Sequence, residues 1–296
     1  MTNPRIVKWW HGWAPLIVLP AAMVFVPSEW PRWVFMWLLA FAIFCGCKWL
    51  TWRRTPVRGV PIWRHVGYFV GWPGLDAVSF LDANGTKVPR KPTRSEWLFA
   101  SAKTIVGCVI LFGLARCVPI EYPYLTGWVG MIGIVMILHF GTFHLLSCAW
   151  RSIGVDAKPL MNWPLTARSL SDFWGRRWNT AFRDLTHRFL FRPMITNLGS
   201  IGAVCVGFVF SGLVHEVVIS VPARGGYGGP TIFFLIQGAG MLVERSRRGR
   251  ALGLGSGWRG WLFTMTLLLA PVVLLFHPRF VMEVVVPFMG AVGAIG

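Results

Sequence analysis

Eight apolar runs divide this chain and leave little sequence for anything but a membrane fold. A helix needs about 20 mostly apolar residues to cross the hydrocarbon, with about 17 tolerated. The candidate spans are 13–26, 33–50, 97–118, 125–150, 198–221, 231–243, 258–276 and 280–295, of which the first, sixth and last are short. The expected fold is therefore all-α, a polytopic transmembrane helical bundle of about eight spans. It is expected to form one membrane-embedded domain over residues 1–296, because no soluble domain, internal repeat or low-complexity tract is visible. Arg5 and Lys8 before the run 14–26 imitate a signal peptide. The exit Pro27-Ser28-Glu29-Trp30 has no small-x-small cleavage site, so the segment is expected to be retained.

The chain is 55% hydrophobic and 14% charged, yet its net charge is +18. Lys and Arg near short loops resist translocation, so their distribution orients a membrane protein. With the N-terminus placed in the cytoplasm, 24 of the 29 basic residues fall on the inner side, in the N-terminal segment and three loops. Arg32, Arg116, Arg224 and Arg279 fall outside, and Lys103 lies within a span. The charge thus reads as topology and attraction to anionic membrane lipids, not as a nucleic-acid surface. A dock for an anionic cytosolic substrate is its functional reading.

The six cysteines lie in or beside apolar runs, with no CxxC pair, and are expected to be small core residues; no metal site is expected. An HExxH zinc site is excluded because Ile219 stands where the second His would be, and no GxSxG elbow occurs. The long loops 51–96 and 151–196 carry the polar residues, and Asp82-Ala83-Asn84-Gly85 reads as a turn that could close a short hairpin.

Two stretches can carry chemistry. In Ser169-Leu-Ser-Asp-Phe-Trp-Gly-Arg-Arg-Trp-Asn179, Ser169 with Asp172 can cap a helix start. Apolar residues then recur at Phe173, Trp174, Trp178, Phe182, Leu185 and Phe189, the spacing of an amphipathic helix lying along a membrane surface. Asn179 falls at the border between the faces, on one stripe with Gly175 and Arg183. The second stretch is Ser211-Gly-Leu-Val-His215-Glu216, inside an apolar span where ionisable groups are costly. Stepping back by four from His215 gives Ser211, Gly207, Ala203 and Gly199, a face of small residues ending at an imidazole. That face suits helix packing and a passage for a slim chain equally well. Glu216 points about 100° away on a helix and is expected to pair with an Arg or another polar group. His139 and His144, five apart, are read as core or tunnel-lining residues.

At these two stretches the sequence resembles the wax synthase branch of the membrane-bound O-acyltransferases. SLSDFWGRRWN (169–179) is similar to the signature of that branch, and SGLVHE (211–216) resembles its SGxxHE motif. The resemblance is specific over about 151–221 and topological elsewhere. It implies His215 as the catalytic histidine, Asn179 as the second functional polar residue, acyl-CoA as donor with no cofactor, and an alcohol acceptor. A long-chain fatty alcohol giving a wax ester is the first expectation; a sterol, terpenoid or other small hydroxyl compound is the alternative. The rival from another class is a proton-coupled lipid transporter or flippase, with His215 and Glu216 as relay.

Acyl transfer asks for a base at the alcohol proton and donors at the developing oxyanion. A histidine buried among apolar groups stays neutral and can accept a proton, and the Asn179 amide offers donors. The phosphates of CoA call for arginine. Arg176, Arg177, Arg183 and Arg192 are the candidates, with Trp174 and Trp178 as walls. In a straight helix His215 would lie about 26 Å beyond Leu198, so sharing a substrate with Asn179 requires the loop to sink into the bundle around a tunnel lined by Gly207, Ser211, His139 and His144.

Overall fold

The computed structural model describes residues 9–56, 59–82 and 88–296. Its described residues form helices and loops and no strand. The hairpin expected at 82–85 falls almost wholly outside them.

Five helical stretches are long and apolar enough to cross a bilayer: Arg32–Arg53, Arg94–Cys117, Pro123–Ser152, Thr180–Ala223 and Gly257–Leu275. Ala14–Phe25 is apolar but shorter, and Gly229–Arg245 has 17 residues. The three runs that were short in sequence are short in space as well. Side chains such as Ile105 and Val109, each more than 60% exposed, point away from the bundle, as residues facing lipid tails do. The same environment corrects the expectation for the cysteines. Cys47 and Cys148 are buried, but Cys45, Cys117 and Cys205 lie on the outer surface, since hydrocarbon tolerates a thiol as well as a core does.

The ends of these helices follow from local chemistry. Thr93 Oγ1 accepts from Glu96 N at 3.2 Å to start the helix at Arg94, and Pro at the first turn opens Pro123–Val135. Gly199 has φ 66°, a conformation open to glycine, and there the Arg192–His215 helix is kinked. Downstream, Gly212 lets this helix approach Gly229–Arg245 closely: a Cβ on it would stand 2.9 Å from the Thr231 Cα.

The basic residues sort to two ends. Arg32 donates to Ala223 O and pairs with Glu283 at 3.1 Å, and Arg279 donates to Arg224 O, so three of the four arginines placed outside meet at one end of the bundle. Elsewhere, Arg151 donates to Arg90 O, Arg188 to Arg54 O and Arg245 to Ser171 Oγ, joining the loops placed inside. Lys48 departs from this pattern. Counted from sequence with the inner loop, it is 1% exposed within Arg32–Arg53, where it donates to Gly74 O and lies 3.6 Å from the centre of the Tyr68 ring.

The core is two clusters. One gathers Leu170, Phe173, Phe208, Phe233 and Phe234; the other holds Leu50, Tyr68, Phe80, Ala181 and Leu185. The chain passes from the first to the second between Phe173 and Ala181, at Asn179.

Candidate active site

The helix expected over the signature stretch is interrupted. Ser169 Oγ accepts from Asp172 N at 2.9 Å, as its spacing predicts, and starts a short turn, Leu170–Asp172, followed by the π-helical turn Phe173–Arg177. Asn179 then adopts a left-handed conformation, φ 41° and ψ 63°. A second helix begins at Thr180, capped by Asn179 Oδ1 accepting from Phe182 N at 3.3 Å. Asn tolerates the left-handed region better than most residues, and its side chain replaces the missing backbone acceptor. The stripe linking Gly175, Asn179 and Arg183 is therefore broken, because these residues do not share a helix. Thr180 N donates to Leu160 O, Asn162 N to Arg177 O and Asn179 N to Met161 Sδ, so loop 160–162 clamps the break.

With Asn179 Oδ1 engaged by a backbone N–H, its Nδ2 is left as a donor. It makes no hydrogen bond to the described residues. Beside it, the Trp178 ring stacks between Phe173 (5.6 Å, 12°) and His139 (6.3 Å, 15°). His139 sits in another π-helical turn, Met136–Thr142, and its Nδ1 is buried without a partner.

His215 closes the helix beginning at Arg192, where it passes into the π-helical turn Glu216–Ser220. Such turns recur at functional sites; here they flank Asn179 and His215 and contain His139. His215 Nδ1 lies 2.7 Å from Ser211 O, and Ser211 Oγ bonds back to Gly207 O at 2.9 Å. The carbonyl can only accept, so Nδ1 carries the proton and the lone pair of the neutral ring is on Nε2. Glu216 takes no part in orienting the ring. Its Oε1 accepts from Gly228 N, Thr231 N and Thr231 Oγ1 at 2.9–3.0 Å, at the start of Gly229–Arg245.

One aromatic wall joins the two motifs. Phe234 lies 4.5 Å from the His215 ring and 5.5 Å from the Trp174 ring, and Trp174 also meets Phe208. Phe208 is seven residues before His215, about 10 Å along a helix. The signature stretch thus enters the bundle well beyond the level of Leu198, and Leu170 and Phe173 are buried there. A Cβ built on Gly207 or Gly175 would meet nothing within 4 Å, so the small-residue face is open at Gly207. A surface cavity of about 400 Å³, lined by His11, Ala14, Pro15, Trp49, Trp52 and Arg53, touches none of these residues.

The remaining candidates divide. Arg177 is a staple: it pairs with Asp172 at 2.5 Å and donates to Trp163 O and Thr166 Oγ1. Arg176, 76% exposed, shares Asp172 from outside, Arg183 pairs with Asp184, and Arg192 is exposed. His144 is held in a polar cluster of its own. Its Nδ1 accepts from Lys103 at 2.7 Å and its Nε2–H donates to Glu96, which also pairs with Arg151. Glu96, His144 and Cys148 bring potential metal ligands within 4.8 Å of one another, but the Arg151 guanidinium already bonds both Glu96 and Cys148.

Sequence reasoning missed Phe234 and Glu244. Phe234 is one apolar residue among many in its span. Glu244 carried a signal: it is one of only 11 acidic residues and ends an apolar run just before a basic loop.

Residues 157–236 match the membrane bound O-acyl transferase family. The chain is 33% identical over 129 residues to a long-chain-alcohol O-fatty-acyltransferase of Simmondsia chinensis, covering 38% of this chain and 37% of that protein. It is 29% identical over 141 residues to a probable long-chain-alcohol O-fatty-acyltransferase 7 of Arabidopsis thaliana, covering 44% and 42%. To an acyl-CoA–sterol O-acyltransferase 1 of the same plant it is 30% identical over 139 residues, covering 43% and 39%. The chain spans about two fifths of the length of these relatives.

Proposed function

We propose that this chain, whose residues 157–236 belong to the membrane bound O-acyl transferase family and its wax synthase-like branch, transfers an acyl group from acyl-CoA to the hydroxyl of a lipophilic alcohol. A long-chain fatty alcohol, giving a wax ester, is the acceptor suggested by the relatives' names; a sterol is the second choice. The observation that carries the reading is the His215 tautomer. Its Nδ1–H is held by Ser211 O and its Nε2 lone pair is uncommitted, in a helix whose Phe208 packs against Trp174 of the signature stretch.

In this mechanism His215 Nε2 takes the alcohol proton as the alcohol oxygen attacks the thioester carbonyl. The C–O bond forms and the C–S bond breaks. The imidazolium returns its proton to the departing CoA thiolate. No covalent intermediate or cofactor is needed. Asn179 Nδ2 supplies a donor for the carbonyl oxygen, and the face open at Gly207, continued by Ser211 and with His139 against Trp178, takes the acyl chain in a tunnel. Exposed Arg176 and Arg192 receive the phosphates of CoA, on the side we assign to the cytoplasm together with the N-terminus.

The test is turnover. Purified protein is incubated with acyl-CoA and a panel of alcohols while free CoA and ester products are followed. Ester formation that is lost in folded His215→Ala supports the reading. Binding or transport of lipid with no acylation by the wild type would overturn it.

A further inference from the structure

The Gly229–Arg245 helix touches both motifs and ends on a carboxylate that the acyl-transfer reaction does not itself require. Its first turn is held by Glu216, the residue after His215. Phe234 lies between the His215 and Trp174 rings, and Gly212 and Thr231 bring the two helices into close approach. About 15 Å further along, Glu244 is 3% exposed, and both its oxygens are spent on the signature stretch. Oε2 accepts from Leu170 N at 2.7 Å, and Oε1 accepts from Ser171 N at 2.8 Å and from Ser171 Oγ at 2.5 Å. Arg245 Nε donates to the same Ser171 Oγ at 2.8 Å.

A carboxylate this buried is tolerated only when its lone pairs are satisfied, and here the donors all come from two consecutive residues. Hydrogen bonds to a charged group are short and directional, so they fix the start of the stretch more tightly than apolar packing at Leu170 and Phe173 alone. Trp174 and Asn179 follow within nine residues of that anchor. One rigid helix therefore carries, at its two ends, the attachments of both halves of the site.

We propose that Glu244 is a positioning residue for acyl transfer, holding the start of residues 169–179 so that the Asn179 amide is placed for the reaction. The proposal rests on the acyl-transfer reading above. Glu244→Gln keeps the shape, removes the charge and leaves one acceptor oxygen where there were two. It is expected to lower kcat about tenfold while KM for the alcohol changes less than about twofold. Ser171→Ala, which leaves Glu244 bonded to the backbone, is expected to lower kcat about threefold.

The decisive measurement is a double-mutant cycle in kcat for free CoA release, with thermal midpoints recorded for each purified variant. A residue that acts by placing Asn179 has nothing left to place once that amide is gone, so Glu244→Gln should cost less than about twofold in an Asn179→Ala background. Independent, multiplicative losses would overturn the proposal, as would wild-type kcat in Glu244→Gln. Should Glu244→Gln fail to fold, the same cycle with Ser171→Ala decides by the same criterion. Wild-type protein that releases no CoA with any alcohol defeats the acyl-transfer reading itself, an outcome distinct from turnover that ignores Glu244.

Discussion

The Nδ1 of His215 sits 2.7 Å from the backbone oxygen of Ser211, one helical turn earlier, and this contact decides which nitrogen of the ring is basic. The partner is a main-chain carbonyl, so the Ser211 side chain is dispensable for the tautomer. His215→Ala should lower CoA release by about a hundredfold or more, the usual worth of a general base. Ser211→Ala should stay within about threefold of wild type. A Ser211→Ala loss as deep as that of His215→Ala, measured on folded protein, would refute this assignment.

Asn179 does two jobs that can be separated, because its backbone is left-handed and its amide caps the next helix. Asn179→Gly accepts the backbone and loses the amide; Asn179→Ala loses both. Both should depress kcat alike, whereas Asn179→Ala should be the less stable of the two, by about 1 kcal/mol, the usual cost of a left-handed non-glycine residue. Thermal or denaturant midpoints beside CoA-release rates check the split.

The candidate CoA-binding arginines should differ in kind. Arg177 is bonded to Asp172, Trp163 and Thr166, so Arg177→Ala is expected to lower the thermal midpoint and disturb loop 160–166. Arg176 and Arg192 are exposed, and Arg176→Ala with Arg192→Ala should raise KM for acyl-CoA severalfold with an unchanged midpoint. Equal KM values for acyl-CoA and for a donor lacking the CoA phosphates would argue against phosphate binding there.

His277, in the turn after Gly257–Leu275, gives a pH dependence. Burial holds it below the ordinary histidine value of 6.5, against the pull of the Glu216 carboxylate and with the help of Arg279. Its Nδ1 accepts from Phe280 N at 3.1 Å, a bond that protonation of Nδ1 would remove. The unfolded chain then binds a proton near pH 6.5 that the folded chain refuses, so stability is full above that pH and falls as the pH drops below it. The slope is at most about 1.4 kcal/mol per pH unit and levels off below the folded value. His277→Asn keeps an acceptor at the cap and should flatten this limb, as thermal midpoints between pH 5 and 8 would show.

Much of the fold was legible because hydrocarbon imposes a simple rule: backbone groups must be satisfied within a helix, so apolar length reads directly as a span. The grouping of Arg32, Arg224 and Arg279 at one end was legible for a similar reason, since charge is excluded from the bilayer interior. Ser169 and Glu216 found the kinds of partner their spacing suggested. The unbroken amphipathic helix over 169–189 was not there, because periodicity registers which residues are apolar and says nothing of two separate cores. The chain must turn between them, and it turns where Asn179 accepts a positive φ. Lys48 misled for the complementary reason: a lone charge reads as a surface residue until a carbonyl and an aromatic ring are brought to it from Gly74 and Tyr68.

The sequence by itself determined a helical membrane chain, two sided in charge, with a histidine and an asparagine in acyltransferase-like motifs. The tertiary structure decided how those motifs meet. Contacts between Phe234 and His215, or between Glu244 and residues 170–171, join positions 19 and more than 70 residues apart, and no local period encodes them. The first lies beside the place where Gly212 lets one helix close on another, and the second buries a carboxylate whose partners must be found in space.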